Sequence, residues 1–406
     1  MNRFTIGKCV LLGTLALFSV TTAQAADWYR WRGPDLNGIS MEKNWQAKWP
    51  AEGPKQLWKA SVGTGFSSVS VSNGRVYTMG NEKDTDSVFC FDADTGKQIW
   101  KHSYACPLDP KYYDGGPSVT PTVDGENIFT LSRKGNLFCL EAASGKVIWS
   151  KNIAKELGAE IPTWGFAGSP FVEKNLLILN VGSAGTALDK ATGKVVWTSG
   201  KEAGGYSTPI ACDFNGQRCV TLFGAKSVFA FAVNDGKKIW EHNWKTEYDV
   251  NASEPIVAGD KVFISSGYNH GCSLLQIKNG KATVLWENKN MRNQFNSSVL
   301  LDGFLYGFDG NTGPKADLKC LELKTGAVKW SEEKLGAGAL MAADGKLIVL
   351  SDKGELIIAD ASPAVFQPIS RAQVIGGKNW TVPVLSNSKI YCRNAKGDLV
   401  CLDVKK

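Results

Sequence analysis

One eleven-residue phrase recurs along this 406-residue chain and limits what it can fold into. Its first copy, Cys90-Phe91-Asp92-Ala93-Asp94-Thr95-Gly96-Lys97-Gln98-Ile99-Trp100, runs an alternating apolar stretch into an acid. It then turns on Thr-Gly-Lys and closes on a Trp four residues after the Gly. Copies follow at Cys139–Trp149, Ala187–Trp197 and Cys320–Trp330, with looser ones at Ala230–Trp240 and Leu274–Trp286. The markers Trp58, Trp100, Trp149, Trp197, Trp240, Trp286 and Trp330 lie 42 to 49 residues apart. That is close to the roughly 40–45 residues of a four-stranded propeller blade. Between markers, short β-branched and aromatic runs such as Val76-Tyr77, Ile128-Phe129 and Ile390-Tyr391 follow turns of Gly, Asn or Asp, the pattern of antiparallel strands.

The expected fold is therefore all-β: an eight-bladed β-propeller of four-stranded antiparallel blades. Strand sets begin near residues 66, 118, 167, 206, 252, 296, 337 and 380. The last set reaches Cys401-Leu402-Asp403 without a fourth strand, while Pro54–Trp58 precedes the first set without partners. An N-terminal strand completing the C-terminal blade would close the ring and remove its exposed edges. Blade seven is degenerate, with Ala361-Ser362-Pro363 in place of the Thr-Gly turn and no Trp near Ala372. The seven Trp markers are read as structural, each stacking on the turn of the next blade, because burial of large aromatics holds blade to blade.

Residues 1–25 read as a signal peptide: Arg3 and Lys8, then an apolar stretch from Cys9 to Val20, then Ala23-Gln24-Ala25 as a cleavage site. Residues 26–53 form a leading segment and 54–406 the propeller. The expectation is an exported, soluble protein, periplasmic or extracellular, monomeric, with no membrane span. The formal charge of +7 is spread along the chain without a basic cluster, which argues against nucleic acid. Of ten cysteines, nine remain once Cys9 leaves with the leader, an odd number that cannot all pair. Cys90, Cys139, Cys320 and Cys401 share one repeat position and read as small buried hydrophobes. Cys212 and Cys219 flank the hairpin signal Asn215-Gly216 and are a candidate disulfide.

The complete phrase Ala187-Leu188-Asp189-Lys190-Ala191-Thr192-Gly193-Lys194-Val195-Val196-Trp197 resembles the blade motif of the pyrroloquinoline-quinone (PQQ) repeat propellers. The leading Trp28-Tyr29-Arg30-Trp31-Arg32-Gly33-Pro34 resembles the start of many exported proteins of that class. The superfamily includes quinoprotein alcohol dehydrogenases and the propeller lipoprotein of the outer-membrane protein-assembly machinery, so the fold alone does not fix function. The dehydrogenases carry adjacent cysteines beside the quinone, and this chain has no Cys-Cys pair. They are also generally longer, and the local pattern around their calcium-binding Glu and Asn and their catalytic Asp is not found here. A lipid-anchoring cysteine would follow the apolar run, whereas Cys9 begins it, so no lipid anchor is expected.

Function should sit where connections gather around the mouth of the central channel. The strand entrances carry Ser68, Thr120, Ser169, Thr208, Glu254, Ser298, Ala339 and Val382, of which only Glu254 is charged. Around the same mouth fall Trp164, Phe166, Tyr206, Phe295 and Trp380, with the amides Asn251, Asn293, Gln294, Asn296 and Asn379. Aromatic faces among amides suit a flat ring, a sugar or a peptide hot spot. The leading expectation is a binding or scaffold propeller that takes a protein partner or small ligand there. One alternative is a PQQ- and Ca²⁺-dependent alcohol dehydrogenase, with Glu254 as metal ligand or base. Another is a polysaccharide binder using Trp164 and Trp380.

Overall fold

The structure, a computed structural model, describes Met1, residues 27–311 and residues 315–406. The expected leader and its cleavage site lie outside the described residues. Eight antiparallel sheets of four strands succeed one another around a ring. Their innermost strands are Ser70–Ser72, Thr122–Asp124, Phe171–Glu173, Ile210–Phe214, Ile256–Ala258, Val299–Leu301, Ala339–Ala343 and Val384–Ser386, for blades one to eight. These start two to four residues later than the sequence suggests. The preceding residues stay out of the ladders because they bond to the neighbouring blade instead.

Ring closure follows the expected route. The strand Gln56–Ser61 pairs antiparallel with Asp398–Asp403 as the fourth strand of blade eight, in register Trp58↔Cys401. The four full copies of the phrase build the same turn, an acid bonded to the Thr or Ser three residues on. Asp92 Oδ1 accepts the Thr95 N–H at 2.8 Å and its hydroxyl at 2.7 Å, and Asp189 holds Thr192 at 2.9 and 2.7 Å. A register shift between Cys90 and Phe91 aims the next strand's Trp outward to the adjacent blade. Trp58, Trp100, Trp149, Trp197, Trp286 and Trp330 each donate the indole N–H to a backbone carbonyl of the following blade, at 2.8–3.0 Å. Gly96 shows why the turn needs glycine: its φ is +68°, and a Cβ there would meet the Trp58 ring at 2.6 Å. Trp240 departs from the rule, since its indole N–H has no acceptor among the described residues. Blade five has Lys278-Asn279-Gly280 where the Thr-Gly turn would stand.

Blade seven is repaired from the leading segment. Register places Ser370 opposite Ile358, the position that holds Trp in other blades. The Trp49 N–H donates to the Ser370 hydroxyl at 3.3 Å. Trp45, also from the leading segment, is buried and bridges to Lys405. Two tryptophans thus cover the junction where the motif fails and where the two ends of the propeller meet.

Candidate functional site

The leading segment closes one end of the channel. It runs along the far ends of the innermost strands, as a short strap. Trp28 bridges to Val71 of blade one, the Tyr29 carbonyl accepts from Val123 N of blade two at 2.8 Å, and Arg30 reaches Val172 O of blade three at 3.4 Å. Further on, Ile39–Ser40 adds to blade seven as a parallel fifth strand, and the Glu42 carboxylate accepts the N–H groups of Asn387 and Ser388 in blade eight. Between these anchors the chain dips inward. Trp31 packs against the apolar cluster built mainly by blades one, seven and eight, yet its indole N–H donates to Glu254 Oε1 of blade five at 2.8 Å. Donor and acceptor come from opposite sides of the ring, so Trp31 bars the channel. Arg32, also buried, donates to the carbonyls of Leu36, Asn37, Ser297 and Ser298. Burial lowers its pKa, and the nearby Glu254 charge works in the opposite direction.

Glu254 is neither a solvated channel acid nor a lysine partner. It is only 5% exposed. Besides Trp31 it accepts the Thr208 N–H at 3.1 Å and the Ser297 hydroxyl at 2.6 Å. It belongs to a relay around the strand entrances, in which a backbone N–H of one blade donates to a side-chain oxygen of the next. Ser68 donates to Thr120, Thr120 to Ser169, Ser169 to Thr208, Thr208 to Glu254, and Glu254 to Ser297, at 2.6–3.1 Å. The blade-six member is Ser297, one residue before the expected Ser298. Calcium needs six to eight oxygen ligands. An acid enclosed by N–H and O–H donors, with a guanidinium alongside, does not fit that requirement.

The open end carries the aromatics. Phe295 stacks on Trp380 with ring centroids 4.8 Å apart, Trp380 on Phe66 at 5.3 Å, and Phe66 meets Tyr113 at 5.7 Å. This arc runs from blade six past the small Gly338-Ala339 of blade seven to blade two. Trp164 and Tyr206, 6.0 Å apart, continue it on blades three and four. Arg133 joins the two parts: it lies 5.7 Å from the Tyr113 ring and donates to the Trp164 carbonyl at 3.3 Å. Lys378 stands 4.6 Å over Trp380 while pairing with Asp114 at 2.5 Å. All six aromatic residues are half-buried. Burial raises the Tyr206 hydroxyl to about 12, so it stays a neutral donor at physiological pH.

Other expected site residues have different roles. Phe166 is buried in the core between blades two and three. Asn251 donates to the carbonyls of Gly224, Ala225 and Trp244, Asn293 to Phe308, Asn296 to Gly338 and Trp380, and Asn379 to Asp352 and Gly377. These amides pin the loops that present the aromatics. Gln294 is buried too, with its side-chain oxygen unpartnered among the described residues. Sequence reasoning missed Phe66, Tyr113, Arg133 and Lys378 as mouth residues. Phe66 had a signal, its place at a strand entrance. Two surface clefts, of about 480 and 560 Å³, lie elsewhere: one between blades seven and eight beside Gly53 and Gln373, the other beside Asn152 and Lys155.

A family model described as outer membrane protein assembly factor BamB matches residues 84–332. No curated protein sequence matches the chain. Among solved structures, BamB from Moraxella catarrhalis superposes with a TM-score of 0.63 at 16% identity, over 86% of this chain and 99% of that one. Quinohemoprotein alcohol dehydrogenase from Comamonas testosteroni gives 0.69 at 14% identity, over 94% and 81%. A europium-containing methanol dehydrogenase gives 0.68 at 13%, over 93% and 89%. At these identities the likeness concerns the fold.

Proposed function

This chain belongs to the family described as outer membrane protein assembly factor BamB, and we propose that it works as an exported binding or scaffold propeller holding a protein partner on its aromatic mouth. The observation that carries this reading is the division of labour among the mouth residues. Glu254 and the amides are occupied in holding the ring and its loops, whereas the side chains of Phe66, Tyr113, Trp164, Tyr206, Phe295 and Trp380 are only half-buried. Partly exposed aromatics on pinned loops resemble the anchors that dominate protein interfaces. They are preorganised, so little side-chain entropy is lost on docking. The name of the family's assembly factor supports a protein as the occupant.

A calcium-assisted dehydrogenase finds less support. The acid it would use is surrounded by donors. No helix of the described residues is long and apolar enough to cross a membrane.

The test is site-specific photocrosslinking in the native cell. A photoreactive amino acid at position 295 or 380 should yield a discrete protein adduct. The same probe at the outer-strand positions of Ile148 or Val284, both exposed, should not. Adducts confined to the outer strands, or none at all, would overturn the reading.

A further inference from the structure

The hairpin of blade four carries a thiol pair that takes no part in the ring relay or the mouth. Asn215 and Gly216, at φ +52° and +74°, make the two-residue turn that pairs Phe214 with Gln217 and Cys212 with Cys219. The two sulfurs lie 3.0 Å apart, with the Thr221 hydroxyl 3.1 Å from Cys212 Sγ. Both cysteines are buried between blades four and five, among Phe214, Trp240 and Val262. Repeat logic does not explain them. Cys90, Cys139, Cys320 and Cys401 each stand opposite a docking Trp, whereas Cys212 and Cys219 stand opposite each other.

We propose that Cys212 and Cys219 form a modification site, a reversible cross-strand disulfide made by exchange with an external disulfide. The Cys219 thiolate attacks a sulfur of the donor, whose S–S bond breaks and releases one donor thiol. The Cys212 sulfur then attacks the mixed disulfide, forming the protein bond and releasing the second donor thiol. Both cysteines are oxidised, the donor is reduced to two thiols, and the two thiol protons of the protein leave with it. The order of attack follows from the pair itself: the hydrogen bond between the two sulfurs lowers the pKa of Cys219 and raises that of Cys212. Paired residues in this register hold their Cα atoms about 5.5 Å apart, within the span a disulfide bridges. Because the pair is buried, exchange belongs to the moment when the hairpin forms or opens. Thr208 and Tyr206 precede Cys212 by four and six residues, so the bond would fix the strand leading from two mouth residues.

The full chain should be refolded in a mixture of reduced and oxidised glutathione, alkylated and digested. The expected product is a Cys212–Cys219 species two hydrogens lighter than the reduced hairpin and closed to alkylation, opened by dithiothreitol to a doubly alkylated form. In Cys212→Ser, Cys219 should become alkylatable. Recovery of both cysteines alkylated, of each as a glutathione adduct, or of either joined to another cysteine would overturn the proposal.

Discussion

Glu254 illustrates how far a single residue could be read from the sequence. Its singularity among the strand-entrance residues was legible, because seven equivalents are uncharged. Its partner was not, since Trp31 lies 223 positions away and no local pattern links them. The carboxylate's extra length lets it accept from blade four, blade six and the strap together. Removing one member of such a buried network leaves the others unsatisfied, at a cost of about 1–3 kcal/mol. Trp31→Phe, which keeps an aromatic ring of smaller size and deletes the donor, is expected to lower unfolding free energy by at least about that amount in urea titration. Glu254→Gln should act in the same direction, and the double variant should lose less than the sum. Additive losses would show that the two side chains are not coupled.

At the level of the repeated element, sequence and structure agree closely because the signal is local. Asp, Thr and Gly within five residues make the turn, and the Trp that follows docks on the next one. The failures were equally local to see and yet not to solve. The lost Trp of blade seven was visible, but its replacement by Trp45 and Trp49 depends on where the chain ends meet. The turn acids also set a pH dependence. Bonds from the Thr hydroxyl and backbone N–H hold Asp92 and Asp189 below their ordinary pKa. A carboxylate depressed in the folded state stabilises it above the ordinary range near 4 and loses that contribution as pH falls through the lowered value. Melting temperature should therefore drop as pH goes from about 5 to 3, and Asp189→Asn should flatten the drop. A variant with an unchanged acid limb would remove these turns from the explanation. Gly193→Ala, at φ +69° with its Cβ 3.0 Å from the Trp149 ring, should lower the melting temperature at every pH.

Across the whole molecule, the strap makes the ring a one-ended vessel. It links blades that are far apart in sequence, and Arg393 makes a similar link at the closure by donating to the carbonyls of Gly63 and Ser67, which lead into blade one, and of Met79 in that blade's second strand. Deleting residues 27–45 should lower the melting temperature sharply and expose the blade seven–eight junction to protease; an unaltered digestion pattern would mean that the ring closes without them. The aromatic mouth was half legible. Trp164, Tyr206, Phe295 and Trp380 broke the repeat and could be picked out, whereas Tyr113 and Arg133 required the folded loops. The account turns on Glu254 serving the fold and leaving recognition to the aromatics. Titrating the purified chain with Ca²⁺ and PQQ, in wild type and Glu254→Gln, while following melting temperature and dye-linked alcohol oxidation, tests that claim most directly. It predicts no calcium-dependent rise in melting temperature and no turnover in either protein. A saturable calcium-dependent rise with alcohol oxidation, both lost in Glu254→Gln, would contradict it.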